Sequence, residues 1–216
     1  MLLRILIIYS LSISQFVHAN DLNNSHNNDN TIIVVGDSLS AAYGIEIEKG
    51  WVNLLRYRLQ KYDPDSNWKV VNASISGDTT AGGLQRLPKL INAHQPVLCI
   101  IALGANDGLR GQPLNAMQNN LEAMVSQCNS TGTSLLVGIK LPPNYGDKYT
   151  QAFHQIYSNI TKENNIRYVP FMLEGIALQD RYFQADRLHP TAEAQPYILN
   201  NIWNQLEKLL TKINAG

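Results

Sequence analysis

The chain has 216 residues, 44% of them hydrophobic, and its 17 basic and 17 acidic residues cancel to a net charge of zero. That length accommodates one domain with a core of ordinary size, so folding requires no metal or disulfide staple. A neutral chain without a long charged run excludes charge-driven binding of nucleic acid or of an anionic membrane; lipids remain accessible through apolar contact.

Met1–Ala19 has the pattern of a secretory signal: Arg4, the apolar run Ile5–Tyr9, and small residues at Val17 and Ala19 before a cleavage site. An uncleaved membrane anchor is the alternative, but the apolar stretch is short for a span. No Cys follows the cleavage site, which argues against a lipoprotein anchor. Export to a periplasm or to the outside is the expectation, with no stable membrane insertion of the mature chain. Asn20–Asn30 is rich in Asn, Asp and Ser and reads as a disordered lead-in, leaving a single domain over 31–213.

From Thr31 onward, strand-like and helical stretches alternate. Strands are expected at Thr31–Val35, Lys69–Ala73, Val97–Leu103, Ser134–Ile139 and Arg167–Pro170. Helices are expected at about Gly50–Tyr62, Gly82–Ala93, Pro113–Cys128, Thr150–Glu163 and Ala192–Leu210. Strands separated by helices of a dozen or more residues make a parallel sheet covered on both faces. The fold class is α/β: a three-layer αβα, flavodoxin-like domain with a five-stranded parallel sheet. Cys99 lies early in the third strand and Cys128 late in the helix that follows. A helix returning over its strand brings these ends together, so either a disulfide or two buried thiols is compatible with the pattern.

Three strands run into Gly-, Asn- or Asp-rich turns: Gly36-Asp37-Ser38, Asn72 to Asp78, and Gly104 to Gly108. In a parallel sheet these turns emerge on one edge, where ligands and chemistry collect. Ser38, first after a buried strand, is the candidate nucleophile; Ser40, Ser74 and Ser76 lack that placement. Asp37 is read as structural, holding the turn through its backbone.

A serine needs a base, and the base an orienting acid. His18 lies in the signal and His26 in the lead-in, while His94 and His154 fall in helices. His189 differs, lying in Asp186-Arg187-Leu188-His189-Pro190 just before the last helix. Asp186 can bend back to the His189 Nδ1 and leave Nε2 to face a serine; alone, the same spacing fits an ordinary capping loop. Gly77 offers a backbone N–H open to close approach, Asn106 a side-chain amide, and Ser38 its own N–H, as donors for an oxyanion. Gly77 and Asn106 also fit plain turn chemistry.

Taken together and in order, Gly36-Asp37-Ser38-Leu39-Ser40, Asn72 to Thr79 with Gly77, Gly104-Ala105-Asn106-Asp107 and Asp186 to Pro190 resemble the four blocks of the SGNH (GDSL) hydrolase superfamily. Asn106 to Gly111, Leu141 to Gly146 and Ala194 to Tyr197 are similar to the branch containing bacterial thioesterase I, also described as protease I and lysophospholipase, and the arylesterases. Ala105 departs from it, standing where that branch often has a second glycine. The G-x-S-x-G elbow of α/β-hydrolases is a different motif.

The resemblance implies Ser38 as nucleophile, His189 as base and Asp186 as orienting acid, with the Ser38 and Gly77 N–H groups and Asn106 as oxyanion donors. It implies a serine esterase, thioesterase or lysophospholipase acting on medium to long acyl groups through an acyl-enzyme. Ile75, Leu109, Leu141, Pro142 and Tyr145 are candidates for lining an acyl crevice, and the Leu141–Tyr149 loop lies over it. An exported acetylesterase of sugars or cell-wall glycans is the alternative, and a non-catalytic binding protein a third. No cofactor and no metal is implied, since neither a ligand cluster nor a phosphate loop occurs. The expected partner is a small acyl ester or lysophospholipid, not nucleic acid, and the expected state is a monomer.

Overall fold

The computed structural model describes residues 30–215, so the signal and all of the lead-in except Asn30 lie outside it. Five parallel strands, β1 (Asn30–Gly36), β2 (Trp68–Asn72), β3 (Leu98–Ala102), β4 (Thr133–Val137) and β5 (Arg167–Val169), form one sheet in the order β2-β1-β3-β4-β5. The β-branched run Ile32–Val35 is wholly buried because β1 is an interior strand with helices on both faces. β3 is likewise buried along its length, whereas the edge strands β2 and β5 are half exposed.

Six helices complete the layers: α1 (Trp51–Tyr62), α2 (Thr80–His94), α3 (Ala105–Leu109), α4 (Leu114–Asn129), α5 (Asp147–Asn164) and α6 (Gln195–Asn214). α1 packs on α6 over one face of the sheet, and α2, α4 and α5 pack side by side over the other. The inward stripe of α6, Ile198, Leu199, Ile202, Trp203, Leu206, Leu209 and Leu210, keeps the three-to-four spacing of an amphipathic helix. This is the three-layer αβα arrangement anticipated from the alternation of patterns.

Boundaries differ in informative places. α2 begins at Thr80, two residues before the expected start, because the Thr79 hydroxyl accepts the Gly82 N–H as its cap. α5 begins at Asp147, so Asp147 to Tyr149 are helical rather than loop. The α3 turn had no strong signal in Ala105 to Leu109 and forms where Gly104 takes φ +119. A side chain at Gly104 would strike the Tyr157 hydroxyl, which donates to the Leu103 carbonyl at 2.9 Å. Ala105 keeps negative φ, so its methyl costs nothing; the left-handed position belongs to Gly104.

Cys99 on β3 and Cys128 at the end of α4 are joined in a disulfide, with Cα atoms 6.0 Å apart. Of the two arrangements open to the cysteines, the bridged one is therefore present. None of the helices among the described residues is long and apolar enough to cross a membrane.

Candidate active site

The sheet order reverses between β1 and β3, and the loops leaving these two strands bound the crevice expected at such a switch point. β1 delivers the chain to Gly36, and the Asp37 carbonyl then accepts the Ser40 and Ala41 N–H groups at 3.1 and 2.9 Å. This tight turn puts Ser38 at the end of the strand. Ser38 Oγ lies 2.9 Å from His189 Nε2, and His189 Nδ1 lies 2.7 Å from Asp186 Oδ2.

The Asp186–His189 loop explains its own geometry. Asp186 Oδ1 accepts the N–H groups of Leu188 and His189 at 2.9 and 3.0 Å, so the carboxylate folds the turn and leaves Oδ2 for the imidazole. Those bonds, the His189 backbone and side chain foremost, hold the Asp186 carboxyl down to about 2. Arg187 completes the turn at φ +58, a left-handed conformation that costs a non-glycine residue about 1 kcal/mol. Gln184 closes the loop: its N–H donates to the His189 carbonyl at 2.8 Å, and its carbonyl accepts the Arg187 N–H at 2.9 Å. Its side-chain amide donates to the carbonyls of Tyr43 and Pro190 at 2.8 and 3.1 Å. The Tyr43 ring in turn rests on the imidazole of His189, with centroids 4.3 Å apart. Gln184 and Tyr43 carry no motif, and their role is legible only in three dimensions.

Across the crevice, Asn106 Nδ2 donates to the Asp78 carbonyl at 3.0 Å and faces Asp37 Oδ2 at 3.4 Å. Gly77 takes φ +78, and its carbonyl accepts from Arg110 Nη2 at 2.9 Å. Among the described residues, neither the Ser38 N–H nor the Gly77 N–H is spent on a backbone hydrogen bond. The donors nominated from sequence thus sit on the three adjoining loops. Asp37 is 2% exposed, and burial pushes its carboxyl up to about 6 against the opposing pull of the Leu39 N–H and His189.

Two further clamps tie the motif residues Asp78 and Asp107 to partners outside the motifs. Arg86 on α2 bonds Asp78 Oδ2 through Nε and Nη2 at 2.9 and 2.7 Å, and also donates to the Ala73 and Gly36 carbonyls. Buried Asp107 accepts the Thr80 N–H and hydroxyl at 2.9 and 2.6 Å, tying the start of α2 to the loop that carries Asn106. The alternative serines Ser40 and Ser74 turn their hydroxyls into the interior. His94 ends α2 and His154 sits on α5, both apart from Ser38.

Ser38, His189 and Asn106 open onto a cavity of about 720 Å³. Its wall is largely apolar, with Leu39, Leu109, Ile139, Leu141, Phe171 and Leu173 among the lining residues and Pro142 beside them. Leu109, Leu141 and Pro142 therefore occupy the expected position. Ile75 and Tyr145 are not among its lining residues: Ile75 is 53% exposed, and the Tyr145 hydroxyl donates to the Leu109 carbonyl at 3.1 Å. The cavity instead extends toward the segment after β5, which no motif marked. No group of three or more potential metal ligands occurs among the described residues.

Residues 34–195 match the GDSL-like Lipase/Acylhydrolase family. The chain is 48% identical over 181 residues to the esterase TesA of Pseudomonas aeruginosa, covering 83% of this chain and 89% of that one. It is 40% identical over 181 residues to "Thioesterase 1/protease 1/lysophospholipase L1" of Escherichia coli, covering 83% and 85%. A crystal structure of the psychrotrophic esterase EstA from Pseudoalteromonas sp., inhibited by monoethylphosphonate, superposes with a TM-score of 0.79 at 40% identity, covering 85% of this chain and 100% of that one.

Proposed function

The chain belongs to the GDSL-like lipase/acylhydrolase family and is an ester hydrolase of SGNH type; on that premise we propose that Ser38, His189 and Asp186 form its catalytic triad. The observation that carries this is the unbroken line from Ser38 Oγ through His189 to Asp186, at 2.9 and 2.7 Å, opening onto the apolar cavity.

Ser38 Oγ attacks the acyl carbonyl carbon while His189 Nε2 takes its proton, and Asp186 holds the imidazole tautomer and stabilises the imidazolium. Charge gathers on the carbonyl oxygen, where the Ser38 and Gly77 N–H groups and the Asn106 amide donate. The 3.4 Å contact of Asn106 with Asp37 is the longer of its two and is the one that yields to the oxyanion. As the tetrahedral intermediate collapses, His189 returns its proton to the leaving oxygen or sulfur, and an acyl-enzyme remains on Ser38. Water, deprotonated by His189, then attacks the acyl-enzyme and frees the acid and Ser38.

The preferred substrates are esters and thioesters of medium to long acyl chains, lysophospholipids among them. The activities of the relatives and the apolar lining support this. So does the run of the cavity from the end of β1 past β3 and β4 to β5, three inter-strand spacings or about 14 Å, which suits an acyl chain of roughly ten carbons. An acetyl group would leave most of that length unfilled. The protein acts after export, as a monomer.

An acyl-length series of nitrophenyl esters tests this, with Ser38→Ala as control. kcat/KM is expected to rise from acetyl to at least octanoyl, and Ser38→Ala to abolish turnover. A steep fall along the series would instead point to a deacetylase, and turnover surviving in Ser38→Ala would overturn the triad.

A further inference from the structure

The cavity wall carries two basic side chains, Lys140 and Arg187. Lys140 is engaged: its Nζ lies 3.8 Å from Glu174 Oε2 and 4.8 Å from the centroid of the Phe171 ring, at the β4–β5 end. Arg187 is not engaged. Among the described residues its guanidinium has no hydrogen bond, carboxylate or ring partner, although it borders the space beside Ser38 and His189. The turn does not call for arginine either, since glycine or asparagine takes φ +58 with less strain. An unpaired cation at a strained position in the wall of the site thus lacks a local structural reason.

Its place relative to the chemistry supplies one. The acyl chain runs toward β5, so the leaving group must lie on the opposite side of the carbonyl carbon, over the imidazole that protonates it. Arg187 is two residues from His189 on the same loop, and it lines the same cavity. An anionic group on the leaving side, a few bonds from the scissile oxygen in a glycerophosphate ester or at the end of a folded-back pantetheine arm in a thioester, meets Arg187, while Lys140 faces the acyl end.

We propose that Arg187 is a specificity-determining residue that binds a phosphate carried by the leaving group of the ester or thioester. A guanidinium presents paired N–H donors matched to phosphate oxygens and stays charged throughout the working pH range. The same chemistry is found in the glycerophosphate of a lysophospholipid and in the phosphorylated pantetheine of an acyl thioester. The inference rests on the Ser38–His189 pair acting as proposed above.

The test holds one octanoyl chain constant on three leaving groups: glycerol, glycerophosphocholine and phosphopantetheine. The quantity read is the ratio of kcat/KM for each phosphorylated substrate to that for the octanoyl glycerol. In Arg187→Gly this ratio is expected to fall about five- to tenfold, mainly through KM, with Arg187→Lys retaining part of it. The wild-type ratio should also fall as salt is raised. Glycine relieves the backbone at this position, so thermal melting of Arg187→Gly should be no lower than wild type.

A fall confined to one phosphorylated substrate identifies the source of the phosphate; a fall for both assigns phosphate in general. An unchanged ratio overturns the proposal, as does equal loss on all three substrates, which would make Arg187 a shaper of the loop. Ser38-dependent turnover of octanoyl glycerol with none of the phosphorylated esters overturns the phosphate site and leaves the triad standing. Turnover of none of the three overturns both.

Discussion

On the oxyanion side of the crevice, order comes from far along the chain: Arg86 joins Asp78, Ala73 and Gly36, and Asp107 holds Thr80. On the histidine side most of it comes from within seven residues, with Asp186 bonding Leu188 and His189 while Gln184 closes the loop, and Tyr43 adds support from a distance. The first region is half-buried, with Gly36, Asp37, Thr80 and Asp107 fully buried, and the second is largely exposed. The oxyanion donors are thereby part of the fold, whereas the base is mounted on a small unit that folds itself. Damage to the first should register as lost stability, and damage to the second as lost turnover.

Asp186→Asn is the sharpest way to separate the two. An amide keeps the carbonyl oxygen that shapes the turn but cannot stabilise an imidazolium, so kcat should fall about 10³- to 10⁴-fold, by analogy with other triads. The melting temperature should fall by only a few degrees, because solvent screens the exposed Asp186 carboxylate and its turn persists. A large loss of stability would show that the loop is braced by the domain after all.

The buried side is probed by pH. Asp37 binds its proton more tightly folded, near 6, than unfolded, near 3.8, so its contribution is full below about 3.8 and is lost as pH rises through 6. That amounts to a fall of about 3 kcal/mol in unfolding free energy across this window, for a group without solvent screening. Asp186 has the opposite sign: its carboxyl lies near 2, so its contribution is present above 3.8 and is lost toward pH 2. Denaturant titrations should place the two effects in separate windows, with Asp37→Asn flattening only the upper one. An upper-window slope that survives in Asp37→Asn would assign it to another group.

The smallest effect is expected at the join between the regions. Gln184→Ala removes the side-chain bonds to the Tyr43 and Pro190 carbonyls, worth about 1 kcal/mol. kcat should drop a few-fold with KM nearly constant, as Tyr43 and His189 lose their shared support. A change confined to KM would place Gln184 in substrate binding instead.

The same contrast explains what could be read from the residues alone. The Asp186–His189 unit is legible because its acid, turn and base fit into four consecutive residues and stand in order with three other blocks; alone, the spacing fits a capping loop. The strands are legible because β1 and β3 are buried on both faces and read as unbroken apolar runs. Arg86 is not legible, because its partners lie eight, thirteen and fifty residues away with no spacing rule to link them. That Ile75 and Tyr145 lie outside the cavity lining is not legible for a related reason: a loop sequence states that a residue is apolar, not whether it faces the cavity or the solvent. α3 was missed because Gly104 to Gly108 is poor helix material, and its turn is held by tertiary bonds.

The Cys99–Cys128 bridge makes the history of a preparation part of its chemistry. It closes a 29-residue segment between β3 and α4, a constraint worth about 3–4 kcal/mol in the chain-entropy account. Protein made in a reducing cytosol and protein made by export would share a sequence and differ by a covalent bond. The strand that bridge secures, β3, leads directly to Asn106, so oxidant exposure during expression becomes a variable to fix before melting curves or turnover numbers are compared between laboratories.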